Sequence, residues 1–219
     1  MTRVLPYGSG ALLVEVSSLE EVMALYPALL TARAPGIGEL VPAARTILVP
    51  VNTSRLSLRA AERWITGVSA SAPTPPADSP LVTIDVVYDG EDLGEVAELT
   101  GRTRMSLIDF HTAAEWRVAF IGFAPGFAYL ASPSTTLDVP RRATARTRVP
   151  VGSVGLGGQF SGVYPRASPG GWQLIGRTNA TLWDVDRVPP ALLSPGDRVR
   201  FRAVDTFVGL PADEKAEHG

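Results

Sequence analysis

The chain has 219 residues, 45% of them hydrophobic and 19% charged, with a formal net charge of −2. That length holds one large domain or two small ones around a sizeable core, and the near-neutral charge gives no general attraction to nucleic acid. Cysteine is absent, which excludes disulfides, thiolate catalysis and cysteine-ligated zinc.

Along the chain, "ALLVEV" reads as a strand. "SLEEVMALYPALLTA" follows Ser17 and Ser18 and carries two acids in its first turn, as a helix start does, with Pro27 set to shorten or kink it. "GELVPAARTILVPV" holds two short strands around a turn. "SRLSLRAAERWITGV" has a helical pattern, with Leu56, Ala60, Arg63, Trp64 and Val68 near one face and Ser54 as the cap. The order strand, helix, strand, strand, helix over residues 1–72 predicts a ferredoxin-like α/β unit. The proline-rich "SAPTPPADSP" cannot form a helix or a central strand, so a linker is expected over 73–80.

The second unit, 81–210, opens on the strand "VTIDVVYDG". Two short helices follow, "DLGEVAELTG", with Gly101 at its C-terminal stop, and "SLIDFHTAAE". The pair has the outline of a helix-turn-helix, but Asp92, Glu95 and Glu98 would repel phosphate, so DNA binding is not expected. From Trp116 onward, short apolar runs ("WRVAFIGF", "VPVGSVGL", "GGWQLIG", "GDRVRFRAV") alternate with Gly and Pro, the pattern of a β-barrel or sandwich. A charged tail, 211–219, ends the chain. The expected class is α+β.

No apolar run approaches the ~20 residues of a membrane span. The start lacks a signal-peptide pattern, which fits a cytoplasmic protein. Only two histidines, His111 and His218, and one lysine, Lys215, are present. A multi-histidine metal site is therefore excluded, and a P-loop lacks its lysine. A Ser-His-Asp triad would have to use His111, which falls on an amphipathic helix and reads more readily as structural. Between Val139 and Trp183 lie six arginines (Arg141, Arg142, Arg146, Arg148, Arg166, Arg177) and no acid. Such a cluster either binds a carboxylate or phosphate bidentately or meets acids from elsewhere in the fold.

Four stretches stand out: "GFAPGFAYL", "VPRRATARTRVPVGSVGLGG", "GVYPRASPGGWQLIGRT" and "LLSPGDRVRF". Taken singly, each reads as turn and core. Gly155 to Gly158 lacks the spacing of a dinucleotide fingerprint, and Gly152-Ser153-Val154-Gly155 fails the frame of a nucleophile elbow. Taken in order, they resemble the allophanate hydrolase subunit 1 family, which includes the B chain of bacterial 5-oxoprolinase and the Kip inhibitor of a sporulation histidine kinase. The resemblance covers nearly the whole chain. It departs from the family pattern at Ala128 (usually proline), Val151 (usually alanine), Phe160-Ser161 (usually Gln-Thr) and Asn179 (usually proline).

The resemblance implies a cyclophilin-like β-barrel over 81–210. It also implies a subunit of an ATP-dependent amide-hydrolysing complex, with ATP and Mg2+ used at the level of the complex. The expected partners are an allophanate hydrolase subunit 2 protein, or a chain like the C component of 5-oxoprolinase, together with the A component. Two other readings stay open: a carboxyltransferase subunit of allophanate or urea metabolism, and a non-enzymatic regulatory module of the Kip type. For an anionic substrate, Arg141, Arg148 and Arg177 with Tyr164 and Ser168 are the expected binding residues. Phe123, Pro125, Gly126, Phe127, Tyr129, Gly152, Ser153, Gly170, Gly171 and Trp172 are expected to wall a pocket or to meet a partner.

Overall fold

The computed structural model describes residues 2–69, 79–132 and 137–207. The tail 211–219, and all of the expected linker except its last two residues, lie outside the described residues.

The N-terminal unit is a four-stranded antiparallel sheet with two helices. β1 (Arg3–Tyr7) and β2 (Ala11–Glu15) form a hairpin through Gly8, which sits at φ 61°. β3 (Val41–Pro42) and β4 (Thr46–Pro50) complete the sheet in the order β1-β2-β4-β3. The expected order, strand, helix, strand, strand, helix, describes only part of this sheet. A leading strand precedes it, whereas a ferredoxin-like sandwich places its last strand after the second helix. β1 escapes the sequence pattern because Pro6 interrupts it, and proline is tolerated there because the strand is an edge.

Helix α1 (Leu19–Thr31) starts at Ser18, whose Oγ accepts the Glu21 N–H, while the Glu21 carboxylate accepts the Ser17 N–H. It runs through Pro27 and keeps Leu19, Val22, Leu25 and Leu29 buried. Helix α2 (Leu58–Gly67) is capped by Ser57, not Ser54, and buries Ala61 and Ile65 most deeply, with Leu56, Trp64 and Val68 of the expected face packed half-buried against the same core. Ser54 is occupied one turn earlier, its N–H bonded to the Asn52 side chain.

The second unit is a seven-stranded, mixed sheet that almost closes on itself. Its order is β12 (Gln173–Arg177), β9 (Ser153–Gly157), β10 (Phe160–Val163), β7 (Ala128–Ala131), β6 (Trp116–Ile121), β13 (Arg198–Ala203) and β5 (Leu81–Val86). Val87 and Arg177 exchange backbone hydrogen bonds at 2.9 Å and join the two outer strands. A two-stranded ribbon, β8 (Arg146–Val149) with β11 (Ser168–Gly170), stands beside the barrel. Helices α3 (Leu93–Leu99) and α4 (Arg104–Ala113) pack on it, and Val96, Leu107, Trp116, Leu130, Leu156, Ile175 and Phe201 fill its core.

His111 of α4 lies wholly inside this core. Its Nδ1 is 2.7 Å from the Tyr88 hydroxyl, its Nε2 is 2.8 Å from Ser161 Oγ, and its ring stacks on Phe201. Burial lowers its pKa to about 3, so it is neutral at ordinary pH. The structural reading of His111 is the one its surroundings support.

The two units share an apolar junction. Leu19, Met23 and Ala44 of the first pack in one cluster with Ala119 and Phe120 of the second. Beside that junction, α1 and β6 line an apolar cleft of about 1170 Å3.

Candidate anion site at one end of the barrel

"GFAPGFAYL" is the connection between β6 and β7, and its second half is strand. The Phe127 N–H reaches Ala124 O at 3.0 Å, so Pro125 and Gly126 form the turn, with Gly126 at φ 80°. A Cβ on Gly126 would stand 2.9 Å from Trp183 Cβ and 3.0 Å from Leu182 O, so glycine is required by both backbone angle and space. One residue earlier the chain makes a tighter bend. Ala124 N–H bonds Gly122 O at 2.8 Å across Phe123, which holds φ 69° without being glycine.

The aromatic rings expected to wall a pocket are mostly core. Phe127, Tyr164 and Trp172 are buried, with Phe127 packed edge-on against both others at 5.3 and 5.4 Å. Tyr129 is half-buried and stacks on Phe120 at 4.4 Å. Phe123 alone among them presents its ring to solvent, standing on Phe127 and Tyr164. The glycines are scaffold too. Gly152, at φ 77°, leaves no room for a Cβ against Thr178 O; it donates to Tyr164 O and accepts from Thr178 N–H, both at 2.8 Å. Gly170 lies flat against the Tyr164 ring, Gly171 O accepts the Arg142 N–H at 2.8 Å, and Ser153 is buried in β9.

The arginine cluster divides into paired and unpaired members. Asp92, buried at the start of α3, accepts from Arg142 at 2.7 Å and Arg146 at 2.8 Å through Oδ1, and from Leu174 N–H through Oδ2. Burial pushes its pKa up, but the Arg146 and Leu174 hydrogen bonds and the two guanidinium charges outweigh that and hold it below the usual carboxylate value. Arg146 also pairs with Glu91. Arg177, expected in the anion site, is instead paired with Asp89 at 2.8 Å on the barrel seam.

Arg141, Arg148 and Arg166 are exposed and have no acidic partner among the described residues. Burial raises the pKa of Tyr164, its hydroxyl accepts the Trp172 N–H, and the Arg141 charge acts on it as on Tyr129. Ser168 stands opposite Val149 in the ribbon, so its side chain shares the buried face of Val149 while the exposed Arg148 points to the other face; the Ser168 Oγ is buried and without a hydrogen-bond partner. Arg141 thus acts on Tyr164 through space, while Arg148 stands on the exposed face of the ribbon. Guanidinium groups without an acidic partner can hold a carboxylate or phosphate. The residue that sequence reasoning missed is Asp92, read there as a surface acid; the acid-free stretch 139–183 was the signal that an outside acid had to meet its arginines.

Residues 2–193 match the model of the carboxyltransferase domain, subdomain C and D, and the chain belongs to that family. Among its relatives is the B chain of 5-oxoprolinase from Escherichia coli O157:H7, 44% identical over 174 residues, 76% of this chain and 78% of that protein. The solved structure of TTHA0988 is 33% identical with a TM-score of 0.73, over 96% of this chain and 41% of that one, so the chain spans less than half of that relative. Kluyveromyces lactis urea carboxylase shares the fold, with a TM-score of 0.73 at 20% identity.

Proposed function

We propose that this chain is the B component of a 5-oxoprolinase. It works with components of A and C type to open 5-oxoproline to glutamate at the expense of ATP. The 44% identity to a curated 5-oxoprolinase B chain, across most of both sequences, carries this reading. The division into units 1–72 and 81–210, the second cyclophilin-like, belongs to the same proposal, as does a cytoplasmic location; no described helix is long and apolar enough to cross a membrane. In this reading Arg141 and Arg148, with Tyr164 beside Arg141, receive the substrate carboxylate or the charge that develops on the ring-amide oxygen, and Ser168, buried on the other face of the ribbon, supports the strand that carries Arg148. The sequence has no P-loop, and no group of acidic or histidine side chains among the described residues is suited to a metal ion. No ATP step is assigned to this chain.

The test is reconstitution. Purified A-type, B-type and C-type chains are assayed in every combination for ATP-dependent glutamate release. Release only when this chain is present is the expected result. Release without it, or none from the full set, overturns the proposal.

A further inference from the structure

We infer that Tyr129 is a further substrate-binding residue, its hydroxyl and the Arg141 guanidinium together seating the carboxylate of a small anionic substrate. The inference deepens the 5-oxoprolinase reading above and rests on it.

Strand register sets Tyr129 apart from the barrel core. Its neighbour in β7, Leu130, pairs with Ser161 of β10; both are fully buried, and Ser161 Oγ holds the His111 ring inside. Successive side chains alternate across a sheet, so Tyr129 and Phe160 stand on the opposite, outer face, where Phe120 is the partner of Tyr129 across the β6–β7 pair. The Tyr129 ring is clamped there. It stacks on Phe120 at 4.4 Å and meets Phe160 and Trp172 edge-on at 5.6 and 5.5 Å. Those three rings are buried, whereas Tyr129 stays half-buried. Its hydroxyl makes no hydrogen bond among the described residues. A phenol whose ring is fixed by packing and whose hydroxyl is left unused is a donor already oriented for a ligand.

The positive charge lies on the same side. Gln173 Nε2 donates to Pro140 O at 3.4 Å, and the Arg142 N–H donates to Gly171 O at 2.8 Å, so residues 140–142 are bound along the segment that leads into β12 and contains Trp172. Arg141, held between those contacts, is exposed and has no acidic partner among the described residues. Its charge acts on the hydroxyls of both Tyr129 and Tyr164. The Tyr164 ring is buried and its hydroxyl accepts the Trp172 N–H, which leaves Tyr129 as the more open of the two phenols. Burial raises the pKa of Tyr129, so its proton stays in place at ordinary pH and the group donates. A guanidinium and a phenol proton are a matched pair of donors for one carboxylate. The aromatic face around them suits the apolar methylenes of a small cyclic amide.

The experiment assembles the A-type, B-type and C-type chains with Tyr129→Phe, Arg141→Ala or Tyr7→Phe in this chain, the last removing an exposed hydroxyl from β1. Glutamate release is followed against 5-oxoproline and against ATP, and thermal midpoints confirm that every variant folds. Tyr129→Phe keeps the ring and removes only the hydroxyl. Tyr129→Phe and Arg141→Ala are each expected to raise KM for 5-oxoproline at least about tenfold, as for a lost hydrogen bond to a charged group. KM for ATP and kcat are expected to stay within about twofold, the signature of lost ground-state binding, with Tyr7→Phe unchanged throughout. A purely structural Tyr129 would instead leave KM for 5-oxoproline at the wild-type value. That value in Tyr129→Phe overturns the inference, while glutamate release by the same complex keeps the functional reading. A wild-type set that releases no glutamate removes both.

Discussion

Asp92 carries a charge into a nearly solvent-free position, where it survives only because three donors converge on it. Asp92→Asn would remove the buried counter-charge of Arg142 and Arg146 and leave them only the exposed carboxylates of Glu95 and Glu91. A loss of about 3 kcal/mol in urea unfolding at pH 7 is expected, the low end for a broken buried pair because the Arg142 side chain stays 32% exposed. A loss below about 1 kcal/mol would mean that solvent screens the cluster. Arg148 sits at the opposite extreme, exposed and unpaired. Arg148→Ala is expected to raise the KM of the assembled complex for 5-oxoproline by about tenfold to a hundredfold, as for a lost charged hydrogen bond, with an unchanged thermal midpoint. An unaltered KM would remove Arg148 from the site.

At the scale of elements, α4 makes the barrel acid-sensitive through His111. The native pKa is lowered to about 3 from an ordinary 6.5, so below pH 6.5 the unfolded chain takes up a proton that the folded chain refuses. Stability is therefore complete above pH 6.5 and falls as the pH drops toward 3, by up to about 1.4 kcal/mol per pH unit. Urea titrations at pH 7, 6 and 5 read this slope before most carboxylates titrate; a flat profile would show that His111 charges in place. The β6–β7 turn and the strand after Gly152 depend on glycine in a different way. Gly152→Ala combines an unfavourable φ with a collision against Thr178 O, and a loss of about 2 kcal/mol or more is expected in the same unfolding assay.

Across the whole molecule, the junction through Leu19 ties the α/β unit to the barrel. Leu19 is buried where α1 begins, against Ala119 and Phe120 of β6. Leu19→Ala should cost about 2–3 kcal/mol in unfolding free energy without changing the circular dichroism of the native state. An effect under about 0.5 kcal/mol would mean that the units are held together by other contacts.

Local chemistry was readable from residue order wherever it acts within a few positions: Ser18 and the two glutamates that start α1, Gly101 that stops α3, Pro125-Gly126 that turns the chain. The ordered series of Gly, Pro and Arg motifs was enough to point to the family. What escaped were strands of three or four residues, β7, β8, β10 and β11, which carry too little periodicity alone and exist because a neighbouring strand supplies their hydrogen bonds. The fate of each arginine escaped as well. Arg142, Arg146 and Arg177 share an acid-free stretch with Arg141, Arg148 and Arg166, yet the first three are neutralised by Asp92 and Asp89, about fifty to ninety positions away in sequence, because the barrel folds α3 and the end of β5 back onto β12. Coulomb energy depends on distance in space, so only the closed barrel separates arginines that hold the fold together from those left free to hold something else.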